Sequence, residues 1–107
     1  MNASEKKVLK TKKLKINSTV YNVKKFKKII ENGNIVLHGD IKHDMQYIRI
    51  ATEYPLSKQY ITALHEAMHG IDEEYSLGFD EDLIDHLSKA MYAFMLDNKE
   101  FIKEIIS

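Results

Sequence analysis

The sequence predicts an α+β fold in which a small antiparallel sheet of three to four strands is followed by two main helices. In the N-terminal half, short apolar runs alternate with polar residues between turn-forming residues, which is typical of strands. After Pro55, apolar residues recur at spacings of three and four, which is typical of helices. The length of 107 residues favours a single domain spanning 1–107.

The N-terminal half begins with residues 1–10, which we expect to form a mobile basic arm. The run LKINSTVYNV then predicts two short strands around an Asn-Ser turn. The run KKFKKII is compatible with a strand end or a helical turn, and the Asn-Gly-Asn that follows it breaks either element. Two more strands are predicted at residues 35 to 38 and 46 to 51, with the polar residues between them as a hairpin connection.

The C-terminal half begins with a helix after Pro55, for which Ser57 is a plausible cap. Its predicted apolar face consists of Tyr60, Leu64, Ala67, Met68, Ile71 and Tyr75. Gly78 interrupts the pattern, and a second helix is predicted near Asp80, where acidic side chains suit the positive end of a helix. An Asp-Asn pair ends that helix, and KEFIKEII predicts a short terminal helix.

The composition excludes several classes of site. The chain has no cysteine, which rules out disulfides, Cys-ligated zinc sites and thiol nucleophiles. No apolar run approaches the roughly 20 residues of a membrane span. The N-terminus lacks the apolar core of a secretory signal. We therefore expect a soluble cytoplasmic protein.

The charges of the chain are separated, although the formal net charge is zero. Residues 1 to 30 carry ten lysines and one acid, whereas residues 72 to 85 carry seven acids and no lysine or arginine. A basic segment could attract nucleic acid. The segment contains no arginine, however, and arginine is the usual reader of bases and phosphates. We interpret the lysines as solvated surface and expect no nucleic-acid partner.

The stretch ALHEAMHG carries the clearest chemical signal. His65 and His69 lie one turn apart on the predicted helix, so that two imidazoles can converge on one metal ion. Glu66 is rotated by about 100° from His65 and can reach a water that the metal acidifies. This His-Glu-x-x-His pattern predicts a zinc hydrolase with Glu66 as general base. Gly70, which costs about 1 kcal/mol relative to Ala in a helix, indicates a close neighbour.

A catalytic zinc with two histidines needs a third protein ligand from another element, and the second helix is the nearest acidic one. Glu81 lies on the flank of that helix's apolar face, so we predict Glu81 as the ligand. Asp85 is predicted to assist Glu81 at the site, and it is the alternative ligand if the helix is rotated. Glu73 and Glu74 are weaker rivals because they share the helix of the two histidines.

Five other residues could have a role in the site, but their positions favour a surface or packing role. His38 and His43 lack a partner at metal-ligand spacing and are predicted to be surface residues. His86 could be an alternative ligand but is more typical of a helix surface. Tyr75 and Tyr92 could stabilise an oxyanion, yet on helix faces tyrosines more often serve packing.

The segment IKHDMQYIRIATEYPLSKQYITALHEAMHGIDEEYSLGFDEDLIDHLSKAMYAFMLDN resembles the small phage- and mobile-element-encoded zinc metallopeptidases related to the ImmA/IrrE group. The similarity covers about residues 35 to 98 and includes a hairpin with an IRI-like strand, the HExxH helix and an acidic helix start. It implies a zincin-like domain with one catalytic zinc in a bacterial or phage-infected cell. It also implies a protein or peptide substrate, such as a repressor-like regulator. Glu81 and Asp85 further resemble the Glu-x-x-x-Asp of thermolysin-like zinc sites, which implies that Glu81 binds the metal and Asp85 orients a ligand histidine.

Two other functions remain open. A phage or mobile-element regulatory protein could keep a zinc site without proteolysis. Such a site would need no base at Glu66 and would fill its fourth coordination position with protein. Nucleic-acid binding through the lysines would be revealed by its dependence on salt.

Overall fold

Six strands precede three helices in the computed structural model of the chain, which describes residues 7–107. They are β1 (Lys13–Ile16), β2 (Thr19–Phe26), β3 (Ile29–Glu31), β4 (Ile35–Leu37), β5 (Gly39–Lys42), β6 (Tyr47–Ala51), α1 (Leu56–Tyr75), α2 (Glu81–Asp97) and α3 (Lys99–Ile106). Helix α1 packs across the sheet, α2 packs on α1, and α3 contacts α2. The predicted α+β class and the short terminal helix are confirmed.

The main sheet has four strands in the order β1-β2-β6-β5. Strands β1 and β2 form one antiparallel hairpin, and β5 and β6 form another. The two hairpins meet along β2 and β6, which run parallel, with Asn22 opposite Tyr47 and Phe26 opposite Ala51. The prediction of a purely antiparallel sheet is therefore wrong at this pair. The connection from β2 to β6 is long enough to bring the chain back in the same direction, which short hairpin loops cannot do.

The segment between the two hairpins departs from the prediction in a second way. Strand β4 pairs with β3 in a separate two-stranded sheet, so the ambiguous run around Ile29 is a strand. The polar residues assigned to a hairpin connection contain β5, the edge strand next to β6. Asp40 and Lys42 make β5 look polar, but Ile41 between them packs against the core.

The side of α1 that faces the sheet is largely polar, contrary to prediction. Its most deeply buried residues are Gln59, Thr62, Glu66 and Gly70. Two members of the predicted apolar face, Tyr60 and Tyr75, are 40% and 55% exposed. Leu64 and Ala67 line a groove that α1 shares with α2 and the N-terminal segment. The apolar stripe is therefore divided: Ala67 and Ile71 pack against the core, whereas Tyr60 and Leu64 line the groove.

Two glycines allow α1 and the sheet to approach closely. A Cβ atom on Gly70 would lie 2.5 Å from Cδ1 of Ile16, which confirms the expectation of a close neighbour. A Cβ atom on Gly39 would lie 2.6 Å from the γ-methyl of Thr62. The apolar core lies at this junction and consists of Leu9, Ile16, Tyr21, Ile48 and Ile50.

The helix ends fix the connection between α1 and α2. Helix α1 starts after Pro55 with no side-chain cap, so the proposed cap at Ser57 is wrong: Ser57 lies inside the first turn. Asp80 caps α2, because its Oδ1 accepts the backbone N–H of Leu83 at 2.8 Å. Asp72 Oδ1 accepts the N–H of Phe79 at 3.0 Å, which ties the connection back to α1.

The N-terminal segment is held against α1. Leu9 is 2% exposed, and its N–H donates to Gln59 Oε1 at 3.1 Å. Gln59 Nε2 in turn donates to the carbonyl of Lys7 at 2.9 Å. The expectation of a mobile arm is therefore wrong for residues 7 to 10, because a buried leucine anchors them; residues 1 to 6 lie outside the described part. No helix within residues 7–107 is long and apolar enough to span a membrane.

Candidate metal centre

Three side chains from α1 and α2 converge at one point. His65 Nε2 lies 2.7 Å from Glu81 Oε1, and His69 Nε2 lies 2.8 Å from Glu81 Oε2. The two imidazole centroids are 5.1 Å apart. One potential ligand atom from each of the three residues lies within 4.8 Å of the others. The group could therefore hold a metal ion.

The positions of these side chains follow from the two helices and their short connection. His65 and His69 share a face of α1 because they are four residues apart. Glu81 is the first residue of α2, directly after the cap residue Asp80. The contacts of Asp72 with the connection bring this first turn back beside α1. The geometry thus brings Glu81 to both histidines, as the helical pattern predicts.

Glu81 has room to adjust to a metal ion. In a tetrahedral zinc site, neighbouring nitrogen and oxygen ligands stand about 3.3 Å apart. The distances of 2.7 and 2.8 Å from Glu81 to the imidazoles would each have to open by roughly half an ångström. The side chain of Glu81 is 64% exposed and can make this movement. The donor set fits a divalent metal ion, and imidazole with carboxylate suits several such ions.

Asp85 stands one turn beyond Glu81 on α2 and outside the group of three. Its Oδ1 lies 3.5 Å from His65 Nδ1, on the side of the ring opposite to Glu81. Its Oδ2 accepts a hydrogen bond from Lys89 Nζ at 3.0 Å, and this bond lowers the pKa of Asp85. Asp85 can therefore hold the His65 ring in orientation.

Glu66 is the buried member of the site, with 8% of its surface exposed. Burial, followed by the nearby carboxylates of Asp40 and Glu81, raises the pKa of Glu66 to about 8 in the metal-free protein. A bound cation would favour the ionised form and lower this pKa. Glu66 can therefore exchange a proton at the wall of the site.

A cleft of about 280 Å³ opens beside the group. It is lined by His38, Gly39, Lys58, Ile61, Thr62, His65, Glu66, Glu81 and Asp85. A small molecule or a short chain segment entering it would meet Glu66 and Glu81 together. The site thus combines potential ligands, a buried carboxylate and space for a reactant.

Two residues of this cleft, Lys58 and His38, were not predicted from the sequence. Lys58 precedes His65 by seven residues, or about two helical turns, so helical spacing could have placed it on the same face. His38 was predicted to lie on the surface but lines the cleft, with its ring 4.5 Å from that of Tyr54. Burial lowers the pKa of His38, and Lys58 adds to this effect. No local pattern reveals His38, because its position depends on the path of the chain into β5.

The remaining candidates lie away from the centre. His43 Nδ1 lies 3.4 Å from the hydroxyl of Tyr21. His86 is exposed, and its Nδ1 lies 2.7 Å from the carbonyl of Asp82. Tyr75 is exposed at the end of α1, and Tyr92 lines the apolar groove on the other side of that helix. Glu73 and Glu74 are not members of the ligand group.

Comparison of the chain with protein-family models, with curated proteins and with solved structures finds no match. The resemblance to the metallopeptidases therefore remains a prediction from the motifs, and the argument for function rests on the residues of the site.

Proposed function

We propose that the protein is a zinc-dependent metallopeptidase with a zincin-like site. His65, His69 and Glu81 hold the metal, and Glu66 acts as the general base. One observation carries the proposal: two helical histidines and a carboxylate from a second helix converge beside a buried glutamate at the mouth of one cleft. This is the set of groups that metal-assisted hydrolysis requires.

The roles of the residues follow from their positions. When bound, zinc acidifies a water molecule and polarises the carbonyl of the peptide bond. Glu66 takes the proton from the attacking water and delivers it to the leaving amine. Asp85 keeps the ring of His65 turned toward Glu81, which is 2.7 Å away. A cleft of about 280 Å³ has room for a short stretch of chain.

We further propose that the substrate is a protein or peptide in the cytoplasm, such as a repressor-like regulator. This part of the proposal rests on the resemblance of residues 35 to 98 to phage and mobile-element metallopeptidases. The small cleft supports it, because a narrow site favours one defined segment over general proteolysis.

The ligand set is tested by the zinc content of the purified protein and of single variants. We expect about one zinc per chain, and loss of zinc in His65→Ala, His69→Ala and Glu81→Ala, because two protein ligands are too few for tight binding. His86→Ala and Asp82→Ala are matched controls outside the group and should keep their zinc. Asp85→Ala should weaken zinc binding by about 10- to 100-fold. If Asp85→Ala lost its zinc and Glu81→Ala only bound zinc more weakly, Asp85 and not Glu81 would be the ligand.

The reaction is tested by Glu66→Gln, with peptide libraries and co-encoded regulators as substrates. Gln is close in shape and cannot accept the proton, so this variant should keep zinc and fold but lose hydrolysis. Cleavage at the wild-type rate by Glu66→Gln would exclude the proposed mechanism. Stoichiometric zinc in a wild-type protein that cleaves none of these substrates would favour a regulatory protein with a non-catalytic zinc site.

A further inference from the structure

Lysines of β1 and β2 lie on the face of the main sheet that points away from α1. Along β1, Leu14 and Ile16 pack into the core, whereas Lys13 and Lys15 alternate with them and are exposed. Along β2, Lys24 is exposed in the same way. We call this surface the basic sheet face; its residues are Lys13, Lys15, Asn22, Lys24, Lys42 and Tyr47.

The strand register arranges these residues in a row. Lys13 lies opposite Asn22, Asn22 opposite Tyr47, and Tyr47 opposite Lys42, so one row crosses all four strands. Adjacent strands are about 4.8 Å apart, which separates Lys13 from Lys42 by about 14 Å. Lys24 belongs to the next row, and its Nζ lies 4.3 Å from the centre of the Tyr47 ring. The ring of Tyr47 thus has Lys24 over it and Lys42 opposite it on the neighbouring strand.

The carboxylates near this face form no ion pair with Lys13, Lys15 or Lys24 among residues 7–107. Asp40 forms a two-armed ion pair with Arg49, in which Arg49 Nε donates at 2.8 Å. Glu31 of β3 also lies close enough to influence Arg49. The acid-rich residues 72 to 85 belong to the end of α1, the following connection and the start of α2, on the other side of the sheet.

We propose that the basic sheet face binds single-stranded nucleic acid. Lysines spread over a sheet can follow a flexible phosphate backbone, and the ring of Tyr47 can stack on a base when Lys24, which lies over the ring, moves to a phosphate. A flat four-stranded face does not enter a duplex groove, which is about 12 Å wide at most. The lack of other arginines predicts contacts to phosphates without sequence preference. The expectation of no nucleic-acid partner changes because the register gathers the lysines onto one surface.

The probes are fluorescently labelled oligo-dT and oligo-U of about 20 nucleotides, with a duplex of equal length for comparison. Fluorescence anisotropy of the full chain should give micromolar binding of the single strands at about 50 mM salt and weaker binding of the duplex. Raising the salt to about 200 mM should weaken the single-strand complex by roughly 15- to 50-fold, as expected for three to four phosphate contacts.

The variant Lys13→Ala/Lys24→Ala should weaken binding by at least about tenfold and make the salt slope shallower by about 1.4. Lys99→Ala/Lys103→Ala on α3 changes the net charge equally and is the control, expected to bind as the wild type does. Tyr47→Leu should weaken binding with an unchanged salt slope, because it removes the aromatic ring, and with it the contact to Lys24, but no charge that meets a phosphate. Lys15→Ala repeats the test at another exposed position if the double variant fails to fold by circular dichroism.

Four results would overturn the proposal. They are the absence of single-strand binding, tighter binding of the duplex, equal losses in the α3 control, and binding to anionic phosphatidylserine vesicles without binding to either oligonucleotide.

Discussion

Glu66 is a residue at which the stability of the fold and the proposed chemistry conflict. Burial lifts its pKa from the ordinary value of 4.5 to about 8, so the folded metal-free protein keeps a proton that the unfolded chain has released at neutral pH. Between these two values the unfolded state binds fewer protons, and stability must fall as the pH rises. The buried carboxylate therefore does not lower the free energy of unfolding below about pH 4.5, and it lowers this free energy by its full amount above about pH 8.

Glu66→Gln should accordingly stabilise the metal-free protein in a pH-dependent way. We expect a gain of about 1 kcal/mol at about pH 5 and on the order of 4 kcal/mol at about pH 8, since one pKa unit corresponds to about 1.4 kcal/mol. Urea unfolding in the presence of a chelator measures both values. A gain of the same size at the two pH values would show that burial of the charge is not its cause.

Gly70 offers a second test at the level of single residues. In Gly70→Ala the new methyl would lie 2.5 Å from Cδ1 of Ile16 and 3.3 Å from Cδ1 of Ile41. Overpacking costs about 1–3 kcal/mol, and better helix propensity returns about 1 kcal/mol. We therefore expect a net loss of about 1 kcal/mol in the free energy of unfolding.

Ile16→Val provides the control for this effect, because valine lacks the Cδ1 atom that would clash. In the Ile16→Val background, Gly70→Ala should cost less than it does alone, or should stabilise the protein. Denaturant unfolding of the four proteins of this double-mutant cycle measures the coupling. If the losses of the two single variants add up to that of the double variant within about 0.5 kcal/mol, the new methyl group does not clash with Cδ1 of Ile16.

The candidate ligand residues could be predicted from the sequence because helical spacing is a local property. His65 and His69 share a face whatever the fold, and Glu81 follows a turn too short to carry it far from them. The position of His38 could not be predicted in this way. Its place at the cleft depends on β5 pairing with β6, which brings it beside residues that lie far along the chain.

At the level of elements, one amide side chain joins the N-terminal segment to α1. Gln59 is fully buried; its Oε1 accepts the N–H of Leu9, and its Nε2 donates to the carbonyls of Lys7 and Tyr54 at 2.9 Å each. The core residue Leu9 is thereby kept in place. The segment before β1 is thus fixed by a side chain about fifty residues further along the chain.

Gln59→Leu should therefore destabilise the protein by about 3 kcal/mol, since a buried polar group without a partner costs about 1–3 kcal/mol and several lose theirs. The same substitution at the exposed Gln46 is the control and should have little effect. Urea unfolding measures the loss, and hydrogen exchange at the Leu9 amide locates it. Unchanged exchange at Leu9 would contradict the proposed link.

Helix α1 shows why hydrophobic periodicity located an element but misassigned its faces. The pattern counts apolar residues, and three of the six in the predicted face, Tyr60, Leu64 and Ala67, line the groove shared with α2. The side against the sheet buries Gln59, which satisfies backbone groups, and Gly70, which gives Ile16 room. Polar residues and glycine become interior only through such partners, and a single-sequence pattern does not contain the partners.

At the scale of the whole molecule, the sequence defined the order of strands and helices better than the way the strands pair. Hairpin β1–β2 could be predicted from the sequence because its turn is short and local. The direction of β6 relative to β2 could not be predicted, since an alternating pattern is compatible with both a parallel and an antiparallel pair. The intervening segment also hides β5, whose polar outer residues resemble a loop.

The parallel pairing of β2 with β6 has a consequence for the order of folding. Each hairpin closes locally, whereas the pairing between them must enclose residues 27 to 46, at a loop-closure entropy of about 2.7 kcal/mol for a loop of this size. The two hairpins are therefore expected to form before they join. Until then, β2 and β6 expose open edges that carry Val23 and Ile50, and such edges readily pair with those of another chain. Refolding yield should consequently fall with protein concentration even where the native state is stable.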